Sequence, residues 1–461
     1  MKRIASVIAA AAAACLSANA QNPIITGMFA PDPAPYVHDG KVYLFVDHDE
    51  PDATFYFMKD WHIFSSEDMV NWTHLGAQVT TATFDWAIQG DNAWASQAVE
   101  VGGKWYWYVS IIERSSHAQT IGVAVADNPM GPWKDAIGGP LAKGEGSFID
   151  PTVFVDDDGS AYLFWGNKGC WYGKLNPDMI SFENGFREVP GFHDPECFGP
   201  AVMKMNWSKG EKELMVGYEE GPWVNKRNGI YYMSYPSGGV PEHMAYSTAL
   251  NINGPWTYGG KIMDEAPNSF TIHGGNISYK GHDYMFYHSG MLPNGNSYRR
   301  SACVEEFHFN PDGSIPFIPF TEEGVAPVGC INPYNRVEGE TMAQSFGIKN
   351  DRLAGSRHYV TSIHQGDWIC IREVDFGSTS PAQLTAEVLN VKNPGRAEFY
   401  LDAIYIQEAR VRPIATINVE AGSSVITAPV RGEVTGKHDV YILFRGGDEQ
   451  LFDLDWWQFS R

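Results

Sequence analysis

Hydrophobic residues along the chain fall in short runs of Val, Ile, Tyr, Phe and Trp, separated by Gly, Asn and Asp turns. No long stretch with helical period follows the first twenty residues. Short apolar runs bounded by turn residues are typical of β-strands. The pattern therefore predicts an all-β protein.

A hairpin signal repeats along the first two thirds of the chain. Each copy has a turn glycine followed by β-forming residues, and these glycines are Gly40, Gly103, Gly159, Gly229 and Gly281. Glycine supplies the positive φ that a tight hairpin needs. Each interval can hold one four-stranded antiparallel sheet with its loops. Five such sheets arranged radially predict a five-bladed β-propeller.

The hairpin repeat stops at about residue 310, where prolines punctuate a stretch without a clear strand. Short strands resume at Val337 and continue to the C-terminus, over a length that suits one β-sandwich. We therefore expect a propeller domain over residues 21–325 and a β-sandwich over residues 335–461.

Residues 1–20 have the features of a secretory signal peptide. Two basic residues precede an apolar run, and Ala18-Asn19-Ala20 forms a cleavage site. Lipid anchoring at Cys15 is an alternative, although the alanines before it make a poor lipoprotein cleavage box. No later apolar run approaches the roughly 20 residues that span a bilayer. We expect a secreted or periplasmic protein without a membrane span.

Acidic residues outnumber basic ones by 55 to 33, which gives a formal charge of −22. This balance argues against nucleic acid or an anionic membrane surface as a partner, because both attract a basic face. Aromatic residues make up 13% of the chain. That content fits sugar binding, although aromatic-rich β cores explain much of it. Neither a Gly-x-Ser-x-Gly nor a Gly-x-Gly-x-x-Gly motif indicates another chemistry.

Three acids and one histidine take the same place in the repeat. Asp32, Asp150, Glu220 and His273 each lie eight or nine residues before a turn glycine, where the innermost strand of a propeller sheet begins. Trp94 opens the matching strand of the second copy, where we expect it either to stack on a sugar or to pack in the core. The four ionisable side chains are therefore expected to meet at one end of a central channel.

Glycoside hydrolysis is a reaction that uses such a set. One carboxylic acid protonates the leaving oxygen while a second carboxylate activates water or attacks the anomeric carbon. A third carboxylate helps to keep the acid protonated, since a like charge raises its pKa. The same groups suit a hard cation, but no tight ligand spacing favours a metal-dependent hydrolase.

Several motifs carry a resemblance to a known family over roughly residues 22–325. They are Ala30-Pro31-Asp32-Pro33, Ser65-Ser66-Glu67-Asp68-Met69-Val70-Asn71-Trp72, Ser147-Phe148-Ile149-Asp150-Pro151, Glu220-Gly221-Pro222-Trp223 and Tyr298-Arg299-Arg300-Ser301. In these the chain resembles glycoside hydrolase family 43, inverting five-bladed propeller enzymes that act on arabinose and xylose linkages.

The resemblance to family 43 implies a role for each matching residue. It implies Asp32 as general base, Asp150 as pKa modulator and Glu220 as general acid, with no cofactor for the chemistry. It also implies Arg300 as a substrate-contacting arginine, with Arg299 as a competitor, and His273 near the axis. Family members sometimes hold a calcium ion at that histidine, but the residues after His273 depart from the usual pattern.

The C-terminal segment resembles a family 6 carbohydrate-binding module, which is a jelly-roll β-sandwich. The resemblance is carried by Val337-Glu338-Gly339-Glu340, Gly366-Asp367-Trp368-Ile369, Val374-Asp375-Phe376-Gly377 and Leu451-Phe452-Asp453-Leu454-Asp455-Trp456-Trp457. It implies a structural calcium ion on Glu338, Glu340 and Asp455. The tryptophan that usually forms a sugar platform is missing from residues 419–423, which predicts weak or lost sugar binding.

We therefore predict an enzyme that releases α-L-arabinofuranosyl groups from plant cell-wall polysaccharide such as arabinoxylan, or from its oligosaccharides. The stretch 46–50 together with Trp61 resembles arabinoxylan-debranching members. Two alternatives stay open, a β-xylosidase of the same fold and a non-catalytic propeller lectin.

Overall fold

The structure is a computed structural model that describes residues 21–206, 210–352, 357–404 and 412–461. Within these residues β-strands dominate, and helix is confined to α1 (Pro195–Phe198) and a 3₁₀ turn at Thr81–Thr83. The all-β prediction is confirmed. The predicted signal peptide and Cys15 lie outside the described residues. In the part of the chain that is described, the helices are too short to cross a membrane.

Two compact units make up the chain. The larger unit contains residues 29–63 and 77–321, and the C-terminal unit contains residues 322–461 together with residues 64–76 and those up to 28.

Consecutive strands pair into sheets along the first part of the chain. The sheets are β1 to β4, β5 to β8, β9 to β12, β13 with β14, β15 to β18, and β19 to β21. The bounds are β1 (Ala34–His38), β2 (Lys41–Asp49), β3 (Met58–Ser66), β4 (Trp72–Thr80), β5 (Trp94–Val101), β6 (Lys104–Ile112), β7 (Gln119–Ala126), β8 (Lys134–Asp135), β9 (Thr152–Val155), β10 (Ala161–Trp165), β11 (Trp171–Lys174), β12 (Arg187–Glu188), β13 (Val202–Asn206), β14 (Glu211–Met215), β15 (Trp223–Arg227), β16 (Ile230–Ser237), β17 (His243–Ala249), β18 (Thr257–Glu265), β19 (Asn276–Tyr279), β20 (His282–Ser289) and β21 (Ser301–Phe307).

The five predicted hairpins are confirmed. Each joins the first two strands of a sheet in antiparallel register. In four of them both turn residues are left-handed, as at Asn228 and Gly229, with φ values of 51° and 78°. This is the backbone that a two-residue hairpin turn requires. Large aromatic side chains such as Trp107 and Trp165 are fully buried.

The C-terminal unit contains two antiparallel sheets over one apolar core. One sheet has the order β25-β26-β33-β28-β31 with β22 beside β33, and the other has the order β24-β27-β32-β29-β30. The bounds are β22 (Val337–Glu338), β23 (Thr341–Met342), β24 (Gln344–Phe346), β25 (Lys349–Arg352), β26 (His358–Thr361), β27 (Trp368–Asp375), β28 (Gln383–Leu389), β29 (Gly395–Leu401), β30 (Ala415–Val419), β31 (Val425–Pro429), β32 (Lys437–Gly446) and β33 (Asp453–Ser460).

Residues 64–76 belong to the C-terminal unit through local pairing. Thr341 and Met342 of β23 pair with Thr73 and Trp72 of β4. Nearby, the Asn71 side chain accepts a hydrogen bond from the Arg372 N–H and donates one to its carbonyl, at 2.8 and 2.9 Å. These contacts join segments that are far apart in sequence.

Candidate active site

The predicted acids lie where the repeat places them and come together in the larger unit. Asp32, Asp150, Glu220 and His273 each lie just before the first strand of a sheet. His273 Nδ1 is 3.4 Å from Asp32 Oδ1, and all three carboxyls interact electrostatically with His273. The structure therefore forms one cluster from residues of four sheets.

Asp32 and Asp150 share an unusual backbone. Their φ values are 53° and 59°, in the left-handed region, and a proline follows each of them. Such positions cost about 1–3 kcal/mol each and concentrate at functional sites. The Asp150 N–H donates to Ser110 Oγ at 2.7 Å, which secures the turn. The local chain thus fixes the direction of both carboxyl groups.

Cationic and imidazole groups surround Asp32. Its Oδ2 lies 3.4 Å from Arg300 Nη2, and its Oδ1 lies 3.0 Å from His288 Nδ1. Burial raises the pKa of Asp32, but Arg300, His288 and His273 outweigh burial and hold that pKa well below its ordinary value. Asp32 is therefore an ionised carboxylate at neutral pH, as a general base must be.

Arg300 is fixed by a second aspartate. Its Nε and Nη2 donate to Asp49 Oδ2 and Oδ1 at 3.0 and 3.1 Å, and its backbone N–H donates to Oδ2 at 2.8 Å. The guanidinium also lies over the Tyr56 ring, 5.2 Å from its centroid. Arg299 instead donates to the carbonyls of Asn294 and Ala53. Arg300, and not Arg299, thus contacts the acid cluster.

Glu220 lies in a setting that favours a protonated carboxyl. Burial raises its pKa, and the charge of Glu219 adds to the rise. Burial and the charge of Glu220 raise the pKa of Asp150 well above its ordinary value. Asn167 Nδ2 donates to Glu220 Oε2 at 2.6 Å; burial raises the pKa of Glu220 against the opposite effects of this hydrogen bond and of the His273 charge. A retained proton is what a general acid requires.

The neighbouring Glu219 is used differently. Its carboxylate forms a buried ion pair with Lys204, at 2.9 Å, and lies 3.5 Å from Lys168 Nζ. Each of the two Glu219 oxygens thus faces a lysine side chain. Gly221 follows at a φ of 53°, and a Cβ on it would lie 2.7 Å from the His273 ring. The sequence Glu-Gly at 220–221 therefore lets Glu220 approach His273 closely.

His273 is a cation in this cluster. Burial lowers its pKa, but the hydrogen bond to Asp32 and the charges of Asp150 and Glu220 outweigh burial and raise that pKa to about 9. An imidazolium partly offsets the charge of three neighbouring carboxyl groups.

Trp94 stands at the start of β5 and is partly exposed. Its Nε1 donates to the Tyr56 carbonyl at 3.2 Å, and its own carbonyl accepts from Trp61 Nε1 at 2.8 Å. Trp94 therefore hydrogen-bonds to Tyr56, the residue whose ring lies against the Arg300 guanidinium. Its contact with a sugar stays a prediction.

Sequence reasoning missed further polar residues of the cluster. Asp47 is fully buried, and burial together with the charge of Asp32 raises its pKa well above the ordinary value. Glu242 is buried and accepts from the Ile272 N–H at 3.0 Å. Asp47 and Asp49 carried a usable signal, because two acids at alternate positions of an apolar strand share one face. The sequence around Asn167 and Glu242 has no pattern that marks them as site residues.

The residues predicted to hold calcium lie in the C-terminal unit. Asp455 is fully buried and forms ion pairs with Arg336 and Arg357, and Glu338 pairs with Arg336 at 2.8 Å. Glu340 differs, since its Oε2 has no hydrogen-bond partner among the described residues. Burial raises the pKa of Glu340 to about 8, and the charges of Glu338 and Asp455 add to this rise.

An ionised aspartate, a protonated glutamate and an arginine clamp define the machinery of acid–base hydrolysis, and a carboxyl pair of this kind is typical of glycoside hydrolases. Comparison with known families agrees. Residues 20–315 match the family described as glycosyl hydrolases family 43, and residues 338–461 match the family 6 carbohydrate-binding module.

Individual relatives match this chain over most of its length or over its first two thirds. An arabinoxylan arabinofuranohydrolase of Bacillus subtilis is 31% identical over 493 residues, covering 95% of this chain and 92% of its own. A xylosidase/arabinosidase of Humicola insolens is 31% identical over 332 residues, covering 64% and 98%.

A solved structure gives the same result. The crystal structure of a family 43 arabinoxylan arabinofuranohydrolase from Bacillus subtilis, in complex with cellotetraose, superposes with a TM-score of 0.78 at 27% identity. The match covers 96% of this chain and 98% of that one. The chain belongs to glycosyl hydrolases family 43 and carries a family 6 carbohydrate-binding module. It is an inverting glycoside hydrolase, and this family needs no cofactor for catalysis.

Proposed function

We propose that this enzyme releases α-L-arabinofuranosyl groups from arabinoxylan or its oligosaccharides. The observation that carries the proposal is the match to an arabinoxylan arabinofuranohydrolase along 95% of the chain, through both the hydrolase and the binding module. The bonds to be cut are thus the glycosidic bonds that join arabinose side groups to a plant cell-wall xylan.

In this proposal the reaction is a single displacement. Asp32 accepts a proton from water as the water oxygen attacks the anomeric carbon from the face opposite the leaving group. The C–O bond to the xylan breaks, and Glu220 transfers its proton to the departing oxygen. Asn167 holds one Glu220 oxygen and so orients the carboxyl group. One attack on that face inverts the configuration.

The surrounding groups prepare the two catalytic carboxyls. Arg300 keeps Asp32 ionised and, with His273 and Trp94, lines the place where the sugar binds. Asp150 interacts electrostatically with Glu220, and burial together with this like charge raises the pKa of Asp150, so that the pair tends to keep a proton. The role proposed for each catalytic carboxyl thus follows from the charge state that its neighbours favour.

We also infer the finer architecture. The sheets of β1 to β4, β5 to β8, β9 to β12, β15 to β18 and β19 to β21 form the blades of a five-bladed propeller over residues 21–325. The two sheets of the C-terminal unit form a jelly roll over residues 335–461. The family matches at residues 20–315 and 338–461 support these domains. The pattern of residues 1–20 supports export to the periplasm or the exterior.

A calcium ion in the C-terminal unit is part of the proposal. Glu338, Glu340 and Asp455 would hold it, and the unpartnered, buried Glu340 oxygen supports this assignment. Oxygen ligands of this kind suit calcium. At His273 the ion pair with Asp32 favours an imidazolium over a calcium ligand.

A β-xylosidase is the second candidate. The xylosidase/arabinosidase of Humicola insolens, which matches 64% of this chain, favours it. Digestion of arabinoxylan and of defined arabinoxylo- and xylo-oligosaccharides, with NMR of the first sugar anomer, separates the two. We expect arabinose with inverted configuration. Xylose alone would favour the second candidate, and release of neither sugar would overturn both.

Substitution of the two carboxyls tests the assigned roles. Asp32→Asn and Glu220→Gln should each lower kcat by about 10²- to 10⁴-fold while the circular dichroism stays unchanged. Glu220→Gln should retain more activity on an aryl glycoside with a good leaving group, which needs little protonation. Asp39→Asn, in an exposed turn, is the matched control. Near-normal rates in both variants would refute the roles.

A further inference from the structure

Two histidines and an aspartate form a cluster that the hydrolytic site does not use. Asp60 Oδ1 lies 2.9 Å from His48 Nδ1 and 3.1 Å from His62 Nε2. All three potential ligand atoms lie within 4.8 Å of one another.

Strand geometry explains how the cluster forms. Asp60 and His62 occupy alternate positions of β3, so that their side chains share one face of the sheet. His48 comes from β2, the neighbouring strand. Asp47 and Asp49 flank His48 and face Asp32 and Arg300. By the same alternation, His48 faces away from the hydrolytic site.

The surroundings of the cluster leave it within reach of an ion from solvent. His48 and His62 both approach the same Asp60 oxygen, and the side chain of His48 is 20% exposed. His62 is buried, and its Nε2 faces the same Asp60 oxygen as His48 Nδ1. The Asp60 side chain is 25% exposed, so water can reach the cluster.

We propose that His48, Asp60 and His62 bind a divalent transition-metal ion, with Zn²⁺ as the best fit and water as a further ligand. Two imidazole nitrogens and one carboxylate are a ligand set that zinc uses in proteins. Calcium prefers oxygen ligands and should not compete here. The ion would tie β2 to β3, and β2 also carries Asp49, which fixes Arg300. The simpler alternative is a hydrogen-bonded triad without metal.

Calorimetric titration of the chelator-treated full-length protein, without a histidine tag, tests the site. Zn²⁺ should bind at one equivalent. His62→Ala and Asp60→Asn should weaken binding by at least about 100-fold, since even loss of a residue that only hydrogen-bonds to a metal ligand lowers metal affinity by about 10- to 100-fold. His193→Ala, whose side chain is 78% exposed, is the control and should bind normally. A melting curve checks the fold of each variant.

A spectroscopic measurement on the unaltered protein keeps the test independent of folding. Co²⁺ in place of Zn²⁺ should give the intense visible bands of a four-coordinate site, and added Ca²⁺ should not remove them. Absence of metal binding by the unaltered chain would leave only the hydrogen-bonded triad and overturn the proposal. Binding that persists in His62→Ala and Asp60→Asn but is lost in His273→Ala would locate the ion at the hydrolytic site and also overturn it.

Discussion

Asp32 and Asp150 have the same local backbone and opposite charge preferences. Both are buried, left-handed and followed by proline. Arg300 and two imidazoles lower the pKa of Asp32, whereas burial and Glu220 raise that of Asp150. The backbone therefore sets where each carboxyl points, and the neighbouring charges decide whether it holds a proton.

This difference predicts the pH dependence of kcat/KM. The acidic limb reflects Asp32 and should lie below the ordinary range of an aspartate, because its pKa is lowered. The basic limb reflects loss of the last proton from the Asp150–Glu220 pair. In Asp150→Asn the like charge is gone, so Glu220 should lose its proton more readily and the basic limb should move to lower pH.

The pH–rate profiles of the unaltered enzyme and of Asp150→Asn measure this shift. Asp127→Asn, an exposed aspartate, should leave both limbs in place. A basic limb that stays fixed or moves upward in Asp150→Asn would show that Asp150 does not raise the pKa of Glu220.

The position of the site residues was predictable to the extent that they follow the repeat. Asp32, Asp150, Glu220 and His273 share one offset, and the structure brings them together. Asn167 and Glu242 contact the same cluster from positions outside that offset. Because their contacts arise from packing between distant segments, no local pattern could reveal them.

Two glycines with positive φ near β15 have different roles. One lies in the hairpin turn after this strand, and the other lies just before the strand begins. Gly229 lies in a turn where a Cβ would have nothing within 4 Å, so that only its φ of 78° demands glycine. Gly221 has a φ of 53° as well, but a Cβ there would lie 2.7 Å from the His273 ring. Glycine is therefore required at residue 229 by its backbone conformation alone, and at residue 221 also by the closeness of His273.

We expect the two alanine variants to differ in kind. Gly229→Ala should cost about 1 kcal/mol of unfolding free energy and leave kcat/KM intact. Gly221→Ala should also lower kcat/KM by about 100-fold, because it displaces His273 from Asp32. Urea unfolding and kinetics on one substrate measure both effects. Equal activity in the two variants would mean that the position of His273 is unimportant.

Hairpins were predictable because each is encoded by adjacent residues. Other pairings were not, since they depend on segments that are distant in sequence. The sheet of β19 to β21 has three strands among the described residues, where a four-stranded sheet was expected. Thr73 pairs with Thr341, and no local sequence pattern at either residue predicts this pairing.

At the scale of the whole molecule, the acidic composition makes cation binding a natural stabilising device. The chain carries 55 acidic and 33 basic residues, and several acids are buried together. In the C-terminal unit arginines form ion pairs with Asp455, whereas the buried Glu340 Oε2 has no hydrogen-bond partner among the described residues. A calcium ion at this point would join β22 to β33, two segments from opposite ends of the module.

Calcium should therefore raise the melting temperature of the full-length protein after dialysis against a chelator. A ligand that binds only the folded state raises the free energy of unfolding by about 2.7 kcal/mol when its free concentration is about 100 times its Kd. Glu340→Gln should abolish the shift, because it removes the charged ligand, while the exposed Glu420→Gln should preserve it. If the unaltered protein does not respond, Arg336 and Arg357 alone balance the buried acids. If Glu340→Gln responds fully, the calcium lies elsewhere.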